Sequence, residues 1–527
     1  MGELLVAVDV GTGSARAGVL TPLGELLGRA EYPIAMHRLD ALRAEHDSDQ
    51  IWQAVWEAVR GAMQAAGARP GDVAGISFDA TCSLVVRGRD GEQLSVSADG
   101  DRRWDTIVWL DHRAIVEAAE CTATRHQVLD YLGGVMSPEM QVPKLMWLKR
   151  HVPDTWLKAG YFFDLADFLT FKASGSLDRS QSTLTCKWTY LGHVEPGWQG
   201  DFLAEVGLSD MLRRGALPVR AKPVGTDLGP LTAEAASALG LTAACRVAAG
   251  AIDAHAGVLG ALGGLVSRRD EIDNHLCLIA GTSNSVLALA PEARPIAGMW
   301  GPYYGAILPD CWLTEAGQST SGALLDHLIR WHRAGGEPDS DRHQAIADRI
   351  AVLRRAEGVD FAARLHVLPD FHGNRSPLAD PAALGVISGL TLDSDFDSLC
   401  RLYWRTSVAL ALGVRQNLEA LATKGYGVGT LLLGGGHTRN ELLVELYADA
   451  TGCTIIEPTA PDAVLLGTAM IAAVAAGIHG SLAKAATAMQ QPGRPRRPDP
   501  KAAARYDRDY HILLEMQRQR QTLDRMQ

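Results

Sequence analysis

The sequence predicts an α/β protein built as two related domains with a cleft between them, and three observations carry that reading. The chain has 527 residues, several times a typical domain length, so two large domains fit better than one. A buried strand, a turn containing Gly-Thr and a second strand occur in that order twice, once near the start of each half. At the midpoint, Gly250-Ala-Ile-Asp-Ala-His-Ala-Gly257 sets one carboxylate, Asp253, among small residues.

Composition excludes several functions. Hydrophobic residues make up 47% and charged residues 21%, an ordinary globular balance. The formal charge of -11, from 50 basic and 61 acidic residues, comes without a Lys/Arg run, which argues against nucleic acid as a partner and leaves a nucleotide ligand open. The first residues lack a basic n-region and a cleavage-like site, so Leu4 to Val8 reads as a buried strand. The greasy segment from Ala463 to Ile478 is short for a bilayer span and carries Gly467 and Thr468, which predicts a buried helix and no membrane partner. The 8 cysteines have no metal-ligand spacing, pointing to reduced thiols and a cytoplasmic setting.

Taken in order, Leu4 to Val8 ends in Asp9-Val-Gly11-Thr12-Gly13-Ser14-Ala-Arg16, with a second strand from Ala17 to Leu20. A dinucleotide fingerprint needs a third glycine where Arg16 stands and a helix after the turn, so that reading fails. Asp47 to Ala66 predicts a helix with an Asp47 and Gln50 capping pair, a stripe of Ile51, Val55, Val59 and Met63, and a stop at Gly67. A strand into Phe78-Asp79-Ala80-Thr81 follows, and Asp90-Gly91 marks a hairpin tip. Residues 100–200 are rich in tryptophan and predict an elaborated cap, mostly core, or a wall for a sugar.

In the second half, His275 to Ala280 runs into Gly281-Thr282-Ser283-Asn284 and a further strand. Asp395 to Thr423 has a helical pattern. Leu431 to Gly434 then meets Gly435-Gly436-His437-Thr-Arg-Asn440 ahead of a helix, which aims backbone N–H groups at an anion. It lacks the Gly-Lys-Ser/Thr of a P-loop. Beyond Gln490 a proline-rich stretch leads to a peripheral helix.

Phosphoryl transfer asks mainly for positioning and charge neutralisation. Two Gly-Thr turns supply donors for β- and γ-phosphates, Asp9 at a strand end suits Mg²⁺ held through waters, and Asp253 is placed as general base. The bland alternatives are a turn-capping Asp9 and an Asp253 that only caps a helix whose small residues, Ala254, Ala256 and Gly257, serve close packing.

These segments, with Trp109-Leu-Asp-His-Arg113, Gly133-Gly-Val-Met-Ser-Pro-Glu-Met140, Cys186-Lys187-Trp-Thr-Tyr190 and Asp370-Phe-His-Gly-Asn-Arg-Ser-Pro-Leu-Ala-Asp380, resemble the FGGY carbohydrate kinases, and within them the D-ribulokinase branch. That family belongs to the actin, Hsp70 and hexokinase superfamily, with ribonuclease H-like domains. The resemblance implies a sugar-binding first domain over residues 1–255, a nucleotide-binding domain over 256–490 and a peripheral C-terminal helix over 491–527. It implies ATP-dependent phosphorylation of a keto-pentose at its terminal hydroxyl, D-ribulose first, with L-ribulose, xylulose or ribitol as alternatives and a sugar and nucleotide sensor of the same fold as a rival.

By the same match Asp253 is catalytic, Asp79, Ala80, Thr81, Lys187, Asp253 and Glu315 bind sugar, and Asp9 and Asp253 hold Mg²⁺. Gly11, Thr12, Gly13, Ser14, Arg16, Gly281, Thr282, Ser283, Gly317, Gly435, Gly436 and Asn440 take the nucleotide. The competing readings are a surface position for Lys187, a helix N-terminal position for Glu315, a solvated helix start for Glu139, and a supporting ion pair for Asp111 and Arg113. A homodimer is an open expectation, and domain closure on sugar binding follows from the need to exclude water.

Overall fold

The computed structural model describes residues 3–40, 42–97, 99–358, 361–459 and 462–526. The chain gathers into two compact units, each assembled from separated segments. The first comprises residues 1–273, 289–314 and 459–492; the second comprises 274–288, 315–458 and 493–527. Contiguous boundaries at 255 and 490 divide the chain by sequence, whereas the compact grouping is interleaved. The cause is the apolar helix Ala463–Ala475, which returns late in the chain to cover the first unit's sheet.

The core of the first unit is a sheet whose strands lie in the order Asp227–Pro230, Arg246–Ala248, Val73–Ala80, Leu4–Val10, Ser14–Leu20 and Leu26–Pro33, with Ala251–Ile252 also pairing with Val73–Ala80. Leu4–Val10 runs antiparallel to Ser14–Leu20 and parallel to Val73–Ala80. Residues 5–10 are fully buried, because both faces of the sheet are covered and an unbroken apolar run suits that setting.

One face packs on helix Ser48–Ala66, which buries Ile51, Val55, Val59 and Met63 and stops at Gly67 in a left-handed conformation. Asp47 is its N-cap, accepting from the N–H groups of Asp49 and Gln50. The Gln50 side chain does not return the bond; its Oε1 accepts from Ala35 N–H, so the capping pair is one-sided.

The other face packs on Ala463–Ala475, and that helix crosses Asp253–Leu262 at very close range. A Cβ on Gly467 would collide with the Ala256 carbonyl, and one on Gly260 with the Ala463 carbonyl. Gly250, just before the Asp253 segment, lies so close to the Phe78 carbonyl that no Cβ fits there either. A second sheet of five strands extends this unit, from His37–Arg38 through Ala44–His46, Thr106–Ile107 and Leu84–Gly88 to Ala159–Asp164. Of the tryptophans between 100 and 200, Trp156, Trp188 and Trp198 are buried, while Trp104, Trp109 and Trp147 are half-buried.

The second unit repeats the plan. Its strands follow the order Trp312–Gln318, Asn284–Ala290, Leu276–Ala280, Thr430–Gly434, Thr454–Pro458 and Gly493–Arg496. Leu276–Ala280 is again antiparallel to the strand after its Gly-Thr turn and parallel to the strand on its other side. The repeat read from two glycine turns is therefore a repeat of whole-sheet topology. Phe396–Ala422, capped by Asp395, is the long helix, and the tail adds Ala503–Asp524. The proline-rich stretch before that tail forms an edge strand, a position that tolerates Pro495.

Gly467→Val forces a branched side chain into the Ala256 carbonyl. The expected cost is about 1–3 kcal/mol in urea unfolding. An unchanged midpoint would refute the close crossing.

Candidate active site

Register explains why acids gather in the first unit. Asp9 pairs with Asp79 across adjacent parallel strands, and Ala251, two residues before Asp253, pairs with Asp79 on the other side. The three carboxylates therefore arise at neighbouring strand ends. Asp9 and Asp79 are fully buried and Asp253 is half-buried. Asp253 opens helix Asp253–Leu262, and its Oδ1 accepts from Ala254 N–H at 2.7 Å.

Arg16 faces this cluster. Arg16 Nη2 lies 2.5 Å from Asp9 Oδ2, and Arg16 Nη1 lies 4.0 Å from Asp462 Oδ2. Thr468 on the covering helix donates to Asp79 Oδ2. Burial pushes the Asp9 carboxyl up to about 7 against the pull of Arg16, with Asp462 and Asp253 adding repulsion. Asp79 is raised well above the carboxylate range, again by burial first and then by Asp9. Arg16, expected at the nucleotide, is engaged by Asp9.

The first glycine turn is tightly held. Gly11 N–H donates to Ser14 O, Ile34 N–H donates to Gly13 O, and Trp109 Nε1 donates to Thr12 Oγ1 at 3.0 Å. Ser14 gives its hydroxyl proton to Glu31 Oε1 at 2.7 Å, which leaves its lone pairs as acceptors. Beside the turn, Ala80 is fully buried and Thr81 N–H donates to Val10 O.

Lys187 is not on the surface. It ends helix Gln181–Lys187, is buried, and its ammonium sits 3.8 Å from the centroid of the Trp300 ring. Glu139 is also buried, with Oε1 3.6 Å from His112 Nε2, so the solvated helix start is corrected. Asp111 and Arg113 form a buried pair at 2.7 Å, and Arg113 Nη2 also reaches Glu45 at 2.9 Å.

In the second unit three glycine segments meet. Ser321 N–H donates to Thr282 O and Gly322 N–H to Gly281 O, which seats the start of helix Gly322–Trp331 on the Gly-Thr turn. Gly435, at φ 85°, lies against the Ala280 carbonyl with no room for a side chain. A Cβ on Gly281 would come 3.9 Å from Gly436 N. Gly317 lies against the Asn284 carbonyl on the neighbouring strand, and Asn440 caps helix Glu441–Thr451 by accepting from Leu443 N–H. Ser283 contributes its carbonyl to Gly281 N–H. Glu315 lies in strand Trp312–Gln318, buried, and accepts from Ser285 Oγ at 3.1 Å, so the helix-start reading is corrected.

Sequence reasoning passed over a network that ties these segments together. Asn284 Nδ2 donates to Gln318 Oε1 at 3.0 Å and to Tyr447 OH at 3.2 Å, and Tyr447 OH meets His437 Nδ1 at 2.9 Å. Burial pushes His437 down to about 4, so it stays neutral. The available signal was Asn284 directly after Gly281-Thr-Ser and His437 directly after the glycine run. Among the described residues no helix is long and apolar enough to cross a membrane, and all 8 cysteines are buried and free.

The family model for the FGGY carbohydrate kinase N-terminal domain matches residues 4–260, and that for the C-terminal domain matches 276–476. The chain belongs to the FGGY family of carbohydrate kinases. This FGGY kinase is similar to the FGGY carbohydrate kinase domain-containing protein of Homo sapiens, 40% identical over 532 residues that take in 97% of this chain and 95% of the relative. It is similar to the D-ribulokinase YDR109C of Saccharomyces cerevisiae, 35% identical over 513 residues, covering 90% of this chain and 72% of the relative. Among solved structures, the xylulose kinase from Rhodospirillum rubrum shares the fold, with a TM-score of 0.75 at 22% identity over 97% of this chain and 98% of that one. The FGGY kinase is a sugar kinase, and its family implies ATP as the phosphoryl donor.

Asp9 gives a pH prediction for this FGGY kinase. Its carboxyl is raised on folding, so its contribution to stability is full below the unfolded value of 3.8 and is lost as pH rises through about 7. Without divalent cations, Tm is expected to fall between about pH 5 and about pH 8, and Asp9→Asn to flatten that fall. Calorimetry in chelator checks it; an unaltered slope in the variant contradicts it.

Proposed function

We propose that this sugar kinase phosphorylates the terminal hydroxyl of a keto-pentose, D-ribulose in preference to other pentuloses and pentitols, giving D-ribulose 5-phosphate, with Asp253 as the base. The observation that carries the reading is the convergence of Asp9, Asp79 and Asp253 at adjacent strand ends. The choice of sugar rests on the yeast relative, which is named a D-ribulokinase.

Asp253 is anchored through Oδ1 by Ala254 N–H, and its carboxylate takes the hydroxyl proton as the sugar oxygen bonds to the γ-phosphorus and the bond from that phosphorus to the ADP oxygen breaks, releasing ADP. Lys187, Thr81 and the backbone at Ala80 orient the sugar, and Glu315 belongs to the same set. Lys187 is suited to this because a buried ammonium over an aromatic face has lost most of its water and gains by meeting a sugar oxygen. The Gly11–Ser14 turn and the Gly281–Ser283, Gly317, Gly435, Gly436 and Asn440 segments take the nucleotide, with Arg16 balancing acid charge beside it.

The acid cluster fits a Mg²⁺ ion. Asp9 and Asp79 bring fully buried carboxylate oxygens together, with Arg16 as the ion-pair partner of Asp9 Oδ2, and such oxygens suit a hard divalent cation. Asp9 would hold it, with Asp253 beside it. Such an ion supplies neutralisation of charge on the β- and γ-phosphate oxygens.

Asp253→Asn is expected to lower kcat by about 10²- to 10⁴-fold while ATP affinity, measured by calorimetry, stays within about twofold. Retained turnover would remove Asp253 from the role of base. An ADP-release screen over the pentuloses and common pentitols is expected to give D-ribulose the highest kcat/KM. Turnover of ribitol in its place overturns the sugar and leaves the mechanism.

A further inference from the structure

The helix that ends in Lys187 begins by gripping the Asp253 segment. Ser180 Oγ donates to Gly250 O at 2.7 Å, and Ile252 N–H donates to Ser182 Oγ at 3.2 Å. Asp167 fixes the start of that helix, accepting from Ser180 N–H at 2.8 Å and from Thr183 Oγ1 at 2.6 Å. Ser182 Oγ then lies 2.8 Å from His255 Nδ1, two residues past Asp253. One short helix thus sets both the base segment and the sugar-site lysine.

The pattern favours one tautomer of His255. Ser182 Oγ already accepts from Ile252 N–H, and among the described residues its own proton has no acceptor but His255 Nδ1. A neutral ring that accepts at Nδ1 carries its proton on Nε2. His255 is only 1% exposed, and Nε2 has no hydrogen-bond partner among the described residues. A buried donor left without a partner is destabilising, so its retention suits an acceptor that arrives from outside. Cys186 Sγ, one residue before Lys187, lies within 4.8 Å of a His255 ring nitrogen, which sets the imidazole beside the lysine segment.

We infer that His255 Nε2–H is a second donor of the sugar site, binding an acceptor oxygen of the keto-pentose beside Lys187 under the control of Ser182. The inference rests on the assignment of the sugar to the Lys187 and Asp253 site. A neutral donor next to a cationic one favours an oxygen that can only accept, such as a ketose carbonyl, over a hydroxyl that must also place its own proton.

The test is a KM split on the full-length protein with Mg-ATP and the pentulose that the screen ranks first. His255→Leu is expected to raise the sugar KM about 10- to 100-fold and to leave the ATP KM within about twofold. His255→Gln, which restores an N–H donor, should recover most of the loss, and Ser182→Ala should raise the same KM by a smaller factor. The rise in Tm on adding sugar alone, which needs no turnover, should shrink in the same order. Equal rises in both KM values, or a lower Tm with an unmoved sugar KM, would overturn the inference. If His255→Leu does not fold, Ser182→Ala decides, and an unchanged ratio of sugar to ATP KM overturns it. Failure of the underlying reading looks different: turnover then survives in Asp253→Asn whatever His255 does.

Discussion

Two carboxyls packed side by side at the ends of parallel strands, sealed from water and faced by the Arg16 guanidinium, set the terms for the first unit. Desolvation holds the Asp9 and Asp79 carboxyls above the ordinary range, and Arg16 offsets only part of that cost. A fold built for stability alone has no use for such a cluster, since apolar side chains of similar size would fill the space without penalty. The cluster persists because parallel pairing fixes its register and because Thr468, on a helix from the far end of the chain, covers it. The proposed cation and base both draw on this arrangement.

The same sheet plan answers a different need in the second unit. There the strand Leu276–Ala280 carries no acid where Leu4–Val10 carries Asp9, and Asn284, which opens the next strand, enters a neutral network through Gln318, Tyr447 and His437. That network fixes three turns whose bare backbone suits phosphate oxygens and a nucleotide's flat parts. Duplicated topology thus yields an acid-lined turn in one unit and a neutral, amide-rich one in the other. The FGGY membership accounts for the shared plan, while the chemistry of each half follows from which side chains stand at equivalent strand ends.

Much of this was legible in the sequence, for identifiable reasons. Leu4–Val10 and Leu276–Ala280 are buried on both faces, so their apolar runs were unambiguous, and Ser48–Ala66 carried both its cap and its stop. What escaped depended on partners distant in the chain. Lys187 was read as a pocket cation, but its Trp300 partner was not legible, since nothing near residue 187 signals it. Glu315 follows an alternation too short to separate a strand from a helix start. Gln50 was assigned to a local cap, yet a neighbouring loop supplied a better donor in Ala35 N–H. The interleaved units were hidden because Ala463–Ala475 is apolar on all sides, which signals burial but not the surface it covers.

Proton release on divalent-cation binding tests the central claim most directly, because a raised buried acid must give up its proton to become a ligand. Titration calorimetry of the nucleotide-free protein with Mg²⁺ near neutral pH, repeated in buffers of different ionisation enthalpy, measures it. The account predicts release of a sizeable fraction of a proton per ion, absent in Asp9→Asn. Binding without proton release, or release that survives in that variant, would contradict it.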